Sequence, residues 1–256
     1  MKKKIMNIIV SLVVLILVLI VGYLLYDKYV QNKKIGIKVE TNVPNKYGVA
    51  KPDASILVYS YVDQEKKFEF FNENGLNEIN YQLRIPQLNF TTKVVEGINS
   101  KILNDFSDVA VEFDNAKSSV GYKSSESDYD FFNPLKDNIV YIFASKILVN
   151  ETGSTTTTYY SYIYDVKNDK ELTVKEILIQ KGITEEKIID AIKQNEHFIE
   201  SYENKTDEDQ KKIMDEIAKA VENFSKVNIE GAQTGSIQLL ININNFENVC
   251  VDFEVK

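Results

Sequence analysis

The feature that most constrains this chain is an uncharged apolar run close to its start. Residues 8–26 contain no charged side chain, and only Ser11 and Gly22 interrupt the run of large apolar residues. At ~1.5 Å per residue, a helix of this length crosses the ~30 Å hydrocarbon core of a bilayer. The sequence therefore predicts a transmembrane anchor at 8–26.

The residues that flank this run favour an uncleaved signal-anchor. A signal peptidase needs small residues just after the apolar stretch, whereas Tyr23, Leu24, Leu25 and Tyr26 are all large. The lysines at 2–4 favour a cytoplasmic N-terminus. We therefore predict a short cytoplasmic tail at 1–7 and a single-pass protein of the bacterial cell membrane, with its C-terminal domain outside.

Charge separates the rest of the chain from its membrane-proximal part. Residues 35–256 contain 24 basic and 37 acidic side chains, a net charge of −13 (24 − 37). Such a domain should be repelled by nucleic acid and attracted to basic partners. Residues 27–54 are polar and contain Pro44, Gly48 and Pro52, which predicts a stalk or linker.

Residues 55–256 are predicted to form one extracytoplasmic domain, divisible into halves at 55–117 and 136–256. Alternating or β-rich segments predict strands at 56–59, 66–71, 78–85, 138–149, 156–166, 236–243 and 248–255. The strand at 66–71 is expected to pair with 56–59. Pro86 is expected to end the strand at 78–85. The strands are grouped with helices between the groups, which indicates an α+β fold with a mostly antiparallel sheet and packed helices.

Helix signals are strongest at four threonines. After Thr92, an apolar stripe with helical spacing comprises Val95, Ile98, Ile102, Phe106, Val109 and Phe113. Thr173 and Glu176 form a capping-box pattern, with Gly182 at the expected end of that helix. Thr184 and Thr206 are expected to open two further helices.

Catalytic motifs are missing from the sequence. With one histidine (His197) and one cysteine (Cys250), the chain cannot build a histidine-rich zinc site or an intramolecular disulfide. Asp128 and Asp130 suggest a calcium loop, but Phe132 replaces the next ligand. We predict no enzyme activity, no catalytic or metal-binding residue and no cofactor. A carboxylate pair for glycoside hydrolysis stays open as a less favoured alternative.

The segment 118–133 has no strand or helix period and is predicted to be a long loop. Long loops in compact domains are often functional, and this one combines aromatic residues with carboxylates. Such combinations are typical of binding hot spots for basic partners. We therefore predict that Tyr122, Tyr129 and Asp130 bind a partner. Folding of Phe131 and Phe132 into the core is the alternative.

Two motifs carry a resemblance to a known family. They are Tyr81-Gln-Leu-Arg-Ile-Pro-Gln87, with Ile98-Asn99 in the helix that follows, and Tyr160-Ser-Tyr-Ile-Tyr164-Asp165, followed by 170–178. Together they resemble the RsiV-like extracytoplasmic domains, paired domains of unknown function. These occur in lysozyme-sensing anti-sigma factors and before the catalytic domain of some peptidoglycan deacetylases.

This chain departs from that family in one hairpin, where Gly153-Ser154 and the threonines at 155–158 replace a segment that usually contains a histidine. The resemblance implies a domain at the cell surface that binds or senses a lysozyme-like hydrolase or peptidoglycan. An accessory subunit of a membrane or envelope complex is the alternative. The expected partners are the membrane, through 8–26, and a basic protein such as lysozyme or a cell-wall glycan, but not nucleic acid.

Overall fold

The structure is a computed structural model. It describes residues 38–40, 55–72, 75–115, 125–134, 138–149, 154–243 and 248–254. The predicted anchor at 8–26 and most of the predicted stalk at 27–54 lie outside these residues. None of the described helices is long and apolar enough to cross a membrane.

The chain divides into two compact units. The first comprises residues 1–43, 65–81 and 117–122, and the second comprises 44–64, 82–116 and 123–256. In the first unit, three residues of the predicted stalk form a short strand that pairs with residues 67–69. The predicted halves, 55–117 and 136–256, remain a prediction.

The described residues form ten strands and six α-helices. The strands are β1 (Lys38–Glu40), β2 (Val58–Asn72), β3 (Gly75–Leu88), β4 (Glu126–Phe132), β5 (Ile139–Val149), β6 (Thr155–Asp165), β7 (Lys170–Leu172), β8 (Val227–Gln233), β9 (Ser236–Ile241) and β10 (Val249–Glu254). The helices are α1 (Lys93–Asp105), α2 (Ser107–Asn115), α3 (Val174–Gln180), α4 (Glu185–Gln194), α5 (Glu196–Glu203) and α6 (Asp207–Val221).

The strands form two sheets, which confirms the predicted α+β class. β2 to β7 are neighbours in chain order and make a mixed central sheet. Within it β3 and β4 are parallel, while β4, β5, β6 and β7 pair antiparallel in succession. A smaller antiparallel sheet has the order β10-β9-β8.

Two strand predictions in the first part of the chain are wrong. The segments 56–59 and 66–71 do not pair with each other, because residues 58–59 and 66–71 belong to the single strand β2. The polar Gln64 lies at a buried position in the middle of this strand, and this hid its continuity. Pro86 does not end β3, which continues to Leu88. Proline is tolerated at such a position because it lies beyond Leu83, where β3 pairs with β4.

The predicted loop at 118–133 is also wrong over its described part, because residues 126–132 form β4. Ser125, Ser127 and Tyr129 are buried, whereas Asp128 and Asp130 are exposed. The alternation is therefore regular, but small serines occupy two of the inward positions. An apolar pattern cannot reveal such a strand.

The predicted apolar stripe forms the helical layer on one side of the central sheet. Thr92 accepts a bond from the Val95 amide and starts α1. The stripe is interrupted at Phe106, where α1 ends and α2 begins. All six predicted stripe residues are fully buried: Val95, Ile98, Ile102, Phe106, Val109 and Phe113.

The start of this layer is attached to β3 by one asparagine. The Asn99 side chain accepts a hydrogen bond from the Leu88 amide at 2.8 Å and donates one to the Leu88 carbonyl at 3.0 Å. Asn99 thus satisfies both backbone groups at the end of β3, as a neighbouring strand would do.

The α1–α2 junction is fixed to the sheet by a buried lysine on β5. Lys146 donates to the Asp105 carbonyl at 2.5 Å and to both carboxylate oxygens of Asp108 at 2.8 Å. Tyr162 on β6 donates to the Asp105 carboxylate at 2.9 Å. Burial lowers the pKa of Lys146, but its bonds to Asp108 and Tyr160 outweigh this and leave the pKa raised.

The other side of the central sheet packs on the C-terminal helices and the smaller sheet. Ile139, Tyr141 and Ile163 share a core with buried residues of α3, α4, α5 and α6 and of β8–β10. The predicted caps Thr173, Thr184 and Thr206 are confirmed, the first as a full capping box. Gly182 follows α3 with a φ of +67°, which favours glycine.

Two elements of this part were not predicted. Asn195 ends α4 and caps α5, so the predicted second helix is two helices. β8 was missed because it is interrupted by a shift in pairing between Ile229 and Gly231. A bulge of this kind breaks the regular alternation on which strand recognition depends.

Truncation of Phe106 should destabilise the domain. Because Phe106 is fully buried at the α1–α2 junction and packs 5.3 Å from the Tyr160 ring, Phe106→Ala should lower the free energy of unfolding by ~3–5 kcal/mol. Denaturant titration measures this difference. Val111→Ala is the matched control, because Val111 is 55% exposed on α2. A Phe106→Ala loss as small as the control's would contradict this packing.

The capping box of α3 should add pH-dependent stability. The side chain of Lys170, then the backbone and hydroxyl of Thr173, bond the Glu176 carboxylate and lower its pKa from 4.5 to about 2. Its contribution is therefore present above pH 4.5 and is lost as the pH falls toward 2. Glu176→Gln should lower the unfolding midpoint at pH 7 and have little effect near pH 2. An equal difference at both pH values would contradict the assignment.

Candidate binding cleft

The predicted partner-binding residues do not form one surface. Tyr122 lies outside the described residues. Tyr129 is buried in β4, and its hydroxyl is hydrogen-bonded to that of Ser60 at 2.8 Å. Asp130 is exposed and points to the opposite side of the strand, as successive residues do. A role of these residues in partner binding remains a prediction.

Tyr129 has a structural environment that joins β3 to β4. The Arg84 guanidinium lies 4.9 Å from the centre of the Tyr129 ring and forms a 2.8 Å ion pair with Asp128. Beyond it on β4, Phe132 packs partly against the core, whereas Phe131 is 45% exposed. The alternative prediction was that both phenylalanines fold into the core. Of the two, Phe132 alone packs against it.

The described residues form a cleft of about 780 Å³. One wall is the first part of β6, at residues 155–159. The other wall is the turn into β8, at 225–228, with Asn242, Ile243 and Asn248 beside it. Hydroxyl and amide groups dominate the described lining, in which Lys226 is the one charged side chain.

A tight turn after α6 places the second wall. Asn223 and Phe224 both have positive φ, at 51° and 57°, a conformation that is strained for a bulky residue such as phenylalanine. Burial of the Phe224 ring offsets this cost. The chain then returns along the helix end, where the Lys226 amide donates to Ala220 and the Asn242 amide to Lys226, at 3.0 and 3.1 Å.

Tyr159 is the aromatic residue of the cleft. Its ring stacks on Phe143 with centroids 5.8 Å apart and planes 11° apart. Its hydroxyl accepts a 2.9 Å hydrogen bond from the Asn248 amide group. Burial and then the Glu230 carboxylate raise the pKa of Tyr159, so the phenol stays protonated and keeps its donor.

A second contact holds the two walls together where the cleft ends. The Ile229 amide on β8 donates to the Ser161 hydroxyl of β6 at 2.9 Å, and this hydroxyl lies 3.4 Å from the Asn228 side-chain oxygen. The walls are therefore cross-linked at Ser161. The cleft is a preformed feature of the fold.

Cys250 lies next to the cleft wall, two residues after Asn248. Its thiol donates a 3.1 Å hydrogen bond to the Glu230 carboxylate. Burial, followed by this bond and the negative charge of Glu230, raises the pKa of Cys250 to about 12. A thiol with this pKa is a poor nucleophile at neutral pH.

The described lining supplies groups for binding. It contains neither a carboxylate nor an imidazole, and His197 is exposed on α5. Elsewhere in the described part of the chain, His, Cys, Asp and Glu form no cluster of three or more that would suit a metal ion. What the cleft offers a ligand is hydrogen bonds and one stacked ring.

Sequence reasoning missed this cleft because its walls come from three distant segments. The one local signal is the run of four threonines at 155–158, which differs from the turn composition expected at a hairpin end. Comparison with known proteins adds no assignment: no protein-family model matches the sequence, and no curated protein is significantly similar to it.

Removal of the Glu230 charge should activate Cys250. Glu230→Gln should raise the rate of alkylation by iodoacetamide at pH 8 several-fold, because the carboxylate no longer opposes the thiolate. The control Glu254→Gln, on the same strand as Cys250, should leave the rate unchanged. Mass spectrometry of the single cysteine measures both rates. Equal rates in the two variants would contradict the role of Glu230.

Proposed function

We propose that this chain is a membrane-anchored binding protein of the bacterial cell envelope. Residues 8–26 anchor it, and its extracytoplasmic α+β domain binds a protein partner without catalysing a reaction. The expected partner is basic, as a lysozyme-like hydrolase is. The resemblance to RsiV-like domains supports the same location and role.

Charge supports a basic partner. Residues 35–256 have a net charge of −13, from 24 basic and 37 acidic side chains. The carboxylates are placed mostly on the surface, for example Asp207, Glu208 and Asp209 at the start of α6. Complementary charge raises association rates and disfavours acidic competitors.

The observation that carries the proposal is the chemistry of the cleft. Its described lining has donors and acceptors on both walls, yet no carboxylate that would act as a general acid or base. Such a lining supports binding of a ligand through hydrogen bonds. A cell-wall glycan is the second candidate, favoured by the hydroxyl and amide groups beside the Tyr159 ring.

Binding of a basic lysozyme to the full chain in detergent micelles tests the proposal. Association should be ~10-fold or more faster at ~0.01 M than at ~0.15 M salt, because salt screens the attraction. The control is the same lysozyme with acetylated lysines, which lacks the positive charge. Absence of binding to both lysozyme and soluble peptidoglycan fragments would contradict the proposal.

Protease added to intact cells should remove a C-terminal tag, as expected for an external domain.

A further inference from the structure

One edge of the central sheet is paired over only part of its length. β6 pairs with β5 along all eleven of its residues, from Thr155 to Asp165. On its other side, β7 pairs with Ile163, Tyr164 and Asp165 only. Among the described residues, no strand pairs with this side of β6 from 155 to 162. Alternate residues there direct an N–H and a C=O outward.

Residues 155–161 contain none of the sequence features that usually protect an edge strand. Proteins block such edges with lysine, proline or a bulge. Residues 155–161 read Thr-Thr-Thr-Thr-Tyr-Tyr-Ser, a sequence with high strand propensity and no charge. The register with β5 is continuous from Val149↔Thr155 to Ile139↔Asp165, so no bulge is present.

The edges of the smaller sheet are treated differently. On β8, the Ile229 amide donates to the Ser161 hydroxyl. On β10, the Cys250 carbonyl accepts a 2.9 Å hydrogen bond from the Asn195 side chain. Side chains from neighbouring elements thus satisfy backbone groups of both outer strands. The unblocked part of β6 thus differs from the two outer strands of the smaller sheet.

The unblocked edge is also one wall of the cleft. Five consecutive residues, 155–159, line it. Because successive side chains of a strand point to opposite faces, a cavity on one face would be lined by alternate residues only. A continuous run places the backbone edge itself in the wall. Opposite it lie three asparagines, which can both donate and accept: Asn228, Asn242 and Asn248.

We propose that this cleft binds an extended polypeptide segment of the partner protein, which adds to the β6 edge as a further strand. The inference rests on the proposed function and specifies how its partner is held. An edge backbone is complementary to another extended backbone, since donors and acceptors then alternate in step. At ~3.4 Å per residue, residues 155–159 match a segment of about five residues.

The surroundings of the edge favour a single strand over a second copy of this chain. Edge-to-edge pairing of two copies would bring a complete sheet against β6. The wall of 225–228 and Asn248 faces this edge. The Ile229–Ser161 hydrogen bond closes the end of the cleft that lies near Ser161. A cleft of about 780 Å³ between these walls suits one extended segment better than a complete sheet. Basic residues beside the inserted segment would meet the acidic surface of the domain.

Selection from a displayed library of short random peptides tests the inference on the full chain in nanodiscs. For a selected peptide, methylation of each backbone nitrogen in turn should weaken binding ~10-fold or more at alternate positions only, because each outward amide loses one hydrogen bond. Hydrogen exchange should show new protection at residues 155–159. Weaker peptide binding after methylation at every position would overturn the inference. New hydrogen-exchange protection at residues other than 155–159 would also overturn it.

Two proline variants provide a matched pair. Thr156→Pro and Thr157→Pro remove amides that point to opposite sides of β6, so one breaks the ladder with β5 and the other affects the outer edge. The variant that keeps the wild-type unfolding midpoint should lose peptide binding. Full peptide binding by that variant would overturn the inference. Unchanged lysozyme binding by that variant would overturn the inference and leave the proposed function standing, whereas absence of any binding by the wild-type chain would overturn both.

Discussion

Burial of the β5–β6 hairpin on both faces is the constraint on which the rest of the described fold depends. On one face, Val140, Ile142 and Ala144 are buried on the side of α1 and α2. On the other, Ile139 and Tyr141 join the core of the C-terminal helices and the smaller sheet. A strand buried on both faces reads as a continuous apolar run, and 139–144 has that composition. The hairpin therefore packs against both layers.

Lys146 sets the position of the first layer with respect to this hairpin. It is 7% exposed, and a buried ammonium group is costly unless its charge and its donors are satisfied. Asp108 supplies the opposite charge and the Asp105 carbonyl a further acceptor. Asp105 lies before Phe106 and Asp108 lies after it, where α1 ends and α2 begins. Lys146 thus bonds groups on both sides of the break in the helix.

The parts of the fold that sequence reasoning found are those with local signals. Thr173, Thr184 and Thr206 each start a helix because their side chains satisfy amides within three residues. The stripe around Phe106 follows from helical spacing alone. In contrast, β4 was missed because Ser125 and Ser127 fill buried positions, and these serines are satisfied by distant strands: Ser127 donates to the Arg84 carbonyl and Ser125 accepts from the Val149 amide. The candidate site could not be found for the same reason, since its walls meet only after folding.

The same hairpin also explains the position of the proposed binding surface. Burial on β6 decreases from the fully buried Tyr162–Tyr164 to the exposed Thr155 and Thr156, so the end near the turn contributes little to the core. Threonine suits this end because its branched side chain favours extended backbone without the need for apolar contacts. The ladder to β5 continues to Val149 and holds the exposed end straight. A preformed edge has little conformational entropy left to lose on binding. The hairpin can therefore stabilise the fold at one end. At the other end it presents a rigid backbone edge that no described strand pairs with.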